Sequence, residues 1–292
     1  MVHRQPGTGI NSLNSHKSTT IKPQTVTVKK YLDRIGYQGS LAPNLSTLNQ
    51  LHLTHMLAVP FENLDISLNR QISLELPAIL HKIVNLGRGG FCYELNYAFA
   101  WLLGELGFSV ELLSASTFDG KSLGPEFDHM LLRVEADQPV FADVGFGDSF
   151  LLPIFPAHKP VLQFDRYYRV ESNGTRWILE QRFEVGDWKP LYIFDLKSHQ
   201  ISEFETMCQY HQTNEASNFT RRTVCSRATE QGRITCANNR FIVTEAGHRE
   251  ESIIEDKIIL EAILMQRFGI TLNTKDLQGL LSVLQTQEAV KQ

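Results

Sequence analysis

Three side chains of this 292-residue sequence are of the types that together make a nucleophile: Cys92, His129 and Asp143. Cys92 follows Gly89-Gly90-Phe91 and opens a segment of helical spacing, Leu95, Phe99, Leu102, Leu103 and Leu106, which Gly107 stops after about four turns, roughly 22 Å. A helix N-terminus has unpaired N–H groups and a partial positive charge, so this placement predicts a cysteine held as thiolate. Gly89 and Gly90 are expected to take backbone angles closed to other residues and to leave room for a substrate at the sulfur. A nucleophilic thiol also needs an imidazole to take its proton, and the imidazole needs an acceptor that fixes its tautomer. His129 starts the run Asp128-His129-Met130-Leu131-Leu132-Arg133-Val134, and Asp143 follows Val140-Phe141-Ala142, with the turn-prone Glu135-Ala136-Asp137-Gln138-Pro139 between them. Two strands joined by a short loop would make His129 and Asp143 neighbours near one end of a hairpin.

Each residue has a plainer alternative. Cysteine is often a buried filler, His129 can be a satisfied core histidine, and Asp143 can be a carboxylate bonded to backbone. Asp143 lies in an otherwise apolar stretch, so it must find a partner there, and His129 is the obvious one. His52 and His55 are three apart and could share a helix face as metal ligands. No third ligand of matching spacing follows, which favours a solvated or packed pair. Cys208, Cys225 and Cys236 lack C-x-x-C spacing, which argues against zinc. Gly87, Gly89 and Gly90 lack the lysine and hydroxyl residue of a phosphate loop.

The elements that must position the three residues fall into blocks. Residues 1–26 contain no acidic side chain and little apolar content and are expected to be a disordered tail. From Val28 to about Phe108 the spacing is mainly helical and ends with the helix of Cys92. From Ser109 to Phe204 short alternating runs predict a closed or nearly closed barrel, including a hairpin of Tyr167 to Val170 and Arg176 to Leu179 around Asn173-Gly174. The last third is mixed: a hairpin of Arg233 to Ala237 and Arg240 to Thr244 around Asn238-Asn239, a long amphipathic helix over Glu251 to Phe268 with Ile254, Ile258 and Ala262 on its face, and a shorter closing helix after Asn273 or Thr274.

Taken together in order, Pro60-Phe61-Glu62-Asn63-Leu64, Arg88-Gly89-Gly90-Phe91-Cys92, Asp128-His129 and Asp143-Val144-Gly145-Phe146-Gly147 resemble the arylamine N-acetyltransferases. Tyr31-Leu32-Asp33-Arg34-Ile35-Gly36-Tyr37 and Asn218-Phe219-Thr220-Arg221 are similar to the bacterial type, and the match runs from about residue 27 to about residue 290. The resemblance implies an α+β fold: a papain-like cysteine core with an N-terminal helical bundle (27–108), a β-barrel domain carrying His and Asp (109–204) and a C-terminal α/β lid (205–292). It implies transfer of acetyl from acetyl-CoA, a co-substrate, to an arylamine, arylhydroxylamine or hydrazine. Cys92 would be the nucleophile, His129 its base and Asp143 the orienting carboxylate. Phe61 and Phe146 would line the acceptor pocket, and Arg88 with Glu62 would form a structural ion pair. On residues alone, the two phenylalanines are ordinary core fillers. The loop Gly124-Pro125-Glu126-Phe127 departs from the small residues usual before the family's histidine, and residues 1–26 exceed the usual bacterial tail.

Composition narrows the class further. A net charge of −4 with a pI near 6.2 argues against nucleic acid or an anionic membrane as partner. No apolar run approaches the roughly 18 residues of a membrane span. Four unpatterned cysteines suit a reducing cytosol, hence a cytoplasmic enzyme without a metal. Rival functions are a transglutaminase-like or hydrolytic cysteine enzyme, a macrolactam-forming amide synthase, and a redox-sensing thiol or binding module.

Overall fold

The computed structural model describes residues 25–148, 150–156 and 159–289. The tail expected over residues 1–26 therefore lies, except for its last two residues, outside the described residues. The chain begins with helices α1 (Val28–Ile35) and α2 (Leu45–Ala58), a two-residue strand β1 (Phe61–Glu62), and helices α3 (Leu64–Ser67) and α4 (Leu76–Leu80). Helix α4 continues through a wider turn over His81–Asn85, and α5 (Cys92–Glu105) follows. Polar caps set the starts: Thr27 accepts from the Lys30 N–H and Asn44 from the Thr47 N–H. Leu95, Phe99, Leu102 and Leu103 are fully buried, so α5 runs through the middle of the first core as its spacing predicts.

Next come β2 (Ser109–Thr117), β3 (His129–Glu135), β4 (Pro139–Ala142), β5 (Val161–Gln163), β6 (Arg166–Ser172), β7 (Trp177–Phe183) and β8 (Lys189–His199). They form one antiparallel sheet in the order β4-β3-β2-β8-β7-β6-β5. Its two edges are not paired directly. Phe141 of β4 pairs with Ile154, and the Gln163 side chain of β5 accepts from the Leu151 and Leu152 N–H groups, so the strip 151–154 bridges the gap. The sheet is a curled half-barrel rather than the closed or nearly closed barrel expected. Strand β3 is buried on both faces: Met130, Leu132 and Val134 enter the helical core, while Leu131 enters the core inside the curled sheet.

Helices α6 (Glu205–Thr213) and α7 (Asn218–Arg221) lead to β9 (Val224–Thr229), β10 (Gly232–Ala237), β11 (Arg240–Glu245) and β12 (His248–Ile253), then to α8 (Lys257–Ala262) and α9 (Thr274–Ala289). The second sheet has the order β1-β9-β10-β11-β12, which ties the segment before Cys92 to the C-terminal part. The hairpin over Asn238-Asn239 forms as expected, with Asn238 in the left-handed region.

Two expectations fail here. Residues 248–253 are a strand, because β11 offers an unpaired edge that Glu251 joins opposite Ile242, and helix starts only at Lys257 behind the cap Asp256. Its buried face is Leu260, Leu264 and Phe268, whereas Ile258 is 74% exposed. The closing helix α9 is also the longer of the last two.

Candidate active site

The loop before α5 is fixed by an ion cluster. The Arg88 guanidinium donates from Nε to Glu62 Oε1 at 2.9 Å and lies 3.1 Å from Asp65, while Lys82 lies 2.8 Å from both Asp65 and Glu94. The Arg88–Glu62 pair was expected; Lys82, Asp65 and Glu94 extend it. Burial works against the Asp65 carboxylate, yet Lys82 and Arg88 hold it below its ordinary range. Glu94 reaches back to accept the Phe91 N–H at 3.1 Å, which caps α5 one residue before Cys92.

Gly89 and Gly90 are not in the left-handed region. Their smallness serves packing: a Cβ on Gly89 would sit 1.9 Å from the Pro60 carbonyl oxygen, and Gly90 bridges to Phe61 as a parallel partner. The positive φ belongs to Gly87. Gly145 performs the same service across the site, since a Cβ there would lie 2.8 Å from Cys92 Cα.

His129 and Asp143 meet as the hairpin predicts. His129 Nε2 lies 2.7 Å from Asp143 Oδ2. The carboxylate also accepts from Tyr192 Oη (3.0 Å), Asn96 Nδ2 (2.9 Å) and the Gly145 N–H (2.9 Å). Burial opposes its charge, but His129, Asn96 and Gly145 outweigh that and hold the carboxyl below the usual range. An ionised Asp143 can only accept, so His129 donates from Nε2. Asn96 additionally donates to the Met130 carbonyl and accepts the Val144 N–H, locking β3, Asp143 and α5 together.

Beneath this lies His52, the packed alternative of the His52/His55 pair. It donates from Nδ1 to the Leu151 carbonyl at 2.7 Å and accepts the Asp143 N–H at Nε2. Burial pushes it down to about 4, so it stays neutral. Among the described residues no group of three or more His, Cys, Asp or Glu is placed to hold a metal ion, and no helix is long and apolar enough to cross a membrane.

Cys92 and His129 line one cleft of about 240 Å³ together with Phe61, Phe146 and Phe219. The rings of Phe146 and His129 meet edge to face at 5.1 Å. Cys92 is 3% exposed, and burial pushes the thiol well up, aided by the negative charge of Asp128. The Met130 N–H, bonded to the sulfur, pulls the other way but does not win. Burial and the helix terminus thus act on this thiol in opposite directions.

Past Phe61 and Phe146 opens a second cavity of about 890 Å³ between the two sheets, lined by Arg166, Arg222, Arg233 and Arg249 with Asp148 and Asp165. Asn96, Tyr192, His52, Asp128 and His211 were not anticipated as parts of the site. Asn96 alone left a signal, being a buried amide one helical turn after Cys92 on the same face.

The sequence matches the family model for N-acetyltransferases over residues 44–277. It is 32% identical over 252 residues to the arylamine N-acetyltransferase of Escherichia coli, covering 84% of this chain and 89% of that protein. The structure of the Salmonella typhimurium arylamine N-acetyltransferase superposes with a TM-score of 0.82 at 31% identity, covering 89% of this chain and 98% of that one. That of the Mycobacterium marinum enzyme in complex with CoA superposes at 0.80 with 26% identity, covering 89% and 99%. The fold is thus that of an N-acetyltransferase. The chain belongs to the arylamine N-acetyltransferase family.

Proposed function

We propose that this chain transfers acetyl from acetyl-CoA through an acetyl-Cys92 intermediate to an arylamine, arylhydroxylamine or hydrazine. The observation that carries this is the shared cleft of Cys92 and His129, with His129 backed at 2.7 Å by a carboxylate holding four hydrogen bonds.

In the first step His129 Nδ1 takes the thiol proton as Sγ attacks the thioester carbonyl, so charge separates only as thiolate against imidazolium. Asp143 stabilises the imidazolium. The tetrahedral intermediate expels the coenzyme A thiolate, which takes the proton from His129, leaving acetyl-Cys92 and neutral imidazole. One thioester replaces another at little net cost. In the second step a neutral amine attacks the acetyl carbon, His129 accepts its proton, and collapse releases the amide and the Cys92 thiolate beside imidazolium. Backbone N–H groups at the start of α5 are suited to hold each oxyanion.

Phe61 and Phe146 would form the aromatic wall for the acceptor. Of the two cavities, the larger carries the arginines, which suit the phosphates of coenzyme A, whereas the smaller is lined by Asp119 and Asp128. In the same proposal residues 27–108 supply the nucleophile, 109–204 the base and carboxylate, and 205–292 a lid, in a papain-like arrangement within the cytoplasm. Initial rates with varied acetyl-CoA and amine are expected to give parallel double-reciprocal lines. Intersecting lines would contradict the scheme, and acetate release unaffected by amine would favour a hydrolase.

A further inference from the structure

A second imidazole–carboxylate pair lies in the same cleft and has no part in the steps above. Asp128, the residue before His129, has Oδ1 3.3 Å from His211 Nε2, and its Oδ2 accepts from the Thr117 hydroxyl. His211 Nε2 also reaches the Asp128 carbonyl at 3.3 Å, and its Nδ1 lies 3.2 Å from Ser217 Oγ. Asp128 and His211 both line the cleft that holds Cys92.

The Ser217 hydroxyl serves either state of His211. It can donate to a neutral Nδ1, or accept from a protonated one while donating to the His211 carbonyl at 3.3 Å. In either state the Ser217 hydroxyl and His211 Nδ1 remain paired.

The charge facing the sulfur differs between the two states. With a proton on His211 the pair is neutral; without it, a carboxylate stands unbalanced in a confined, partly desolvated cleft, where charges interact strongly. Other groups around His211 do not blur this. From α5 the Tyr93 hydroxyl donates to the Phe127 carbonyl and is pushed well up by burial, so it stays neutral. On α6 burial pushes the Cys208 thiol up to about 12, so it too stays neutral. Asp119, at the rim, is exposed to water and held below the ordinary range by backbone N–H bonds, so its charge is constant and screened. What remains is His129 on Asp143, Asp128, and Cys92 itself.

We infer that Asp128 and His211 are positioning residues that set the electrostatic potential at Cys92: Asp128 opposes negative charge on the sulfur, and a protonated His211 cancels that opposition. The pair thereby adjusts how readily the thiolate–imidazolium state forms. The direction in which Asp128 acts on the thiol agrees with this.

The inference rests on Cys92 as the reactive thiol, and its test reads that thiol directly. Rates of Cys92 alkylation by iodoacetamide, an uncharged probe, are measured against pH in the full chain and its variants, with the modified residue identified by peptide mass. Asp128→Asn removes a negative charge and is expected to move the profile to lower pH by about half a unit or more, a threefold or greater gain at a fixed pH below the midpoint. His211→Gln leaves Asp128 uncompensated and is expected to move it to higher pH. The double variant should return toward the parent. Shifts in the same direction, or none, would overturn the inference, because a merely structural role gives no reason for opposite signs. Asp128→Asn is isosteric, so an unchanged profile in that variant alone is decisive even where His211→Gln does not fold. Alkylation at a cysteine other than Cys92 would instead count against the nucleophile assignment.

Discussion

The site holds two histidine–carboxylate pairs, whose members lie 14 and 83 residues apart in the chain, and they are built differently. His129–Asp143 is short, 2.7 Å, and its carboxylate is fully buried with four hydrogen bonds. His211–Asp128 is longer, 3.3 Å, and its histidine comes from α6, with partners that tolerate either protonation state. A carboxylate saturated with donors keeps its charge and holds an imidazole in one tautomer. The looser pair keeps its histidine hydrogen-bonded in either protonation state. The first construction suits a base that must be oriented, and the second suits a background charge that can change.

That contrast makes the largest prediction. Asp143→Asn preserves shape but cannot anchor a protonated His129, and is expected to lower kcat by about 10³–10⁴-fold, measured with saturating acetyl-CoA and amine. Asp128→Asn in the same assay should lose at least tenfold less. Equal losses would erase the distinction between the pairs.

A third imidazole sharpens the comparison through stability. His52 is neutral in the fold because burial holds it down to about 4, whereas unfolded it returns to its ordinary 6.5. Between those values the unfolded chain binds a proton that the folded chain refuses, so stability must fall as pH drops from 6.5 toward 4. The gap corresponds to on the order of 3 kcal/mol. Urea unfolding at several pH values should therefore give a steeper acid decline in the parent than in His52→Asn. Identical slopes would mean that His52 is not what the Asp143 backbone rests on. Smallest is the opposite pair of alkylation shifts expected for Asp128 and His211, half a pH unit or so.

Legibility in the sequence followed locality. Cys92, His129 and Asp143 were readable because a glycine-to-helix junction and a two-strand hairpin are short-range patterns. Asn96, Tyr192 and His52 converge on Asp143 from 47, 49 and 91 residues away, and no periodicity marks such meetings. Residues 251–253 are expected to open a helix because the Glu-rich stretch has helical propensity, which pairing with β11 overrides. Burial was the least readable quantity. The helix terminus at Cys92 is visible in the sequence, whereas the core that closes over the sulfur and opposes its effect is assembled from distant segments.

The most direct measurement is intact mass after incubation with acetyl-CoA in the absence of amine. One added acetyl group is expected, mapped to Cys92, discharged by an arylamine with formation of the amide and absent in Cys92→Ala. A protein that turns over acetyl-CoA and amine while its mass never changes, or whose acetyl group persists after amine is added, would contradict the account.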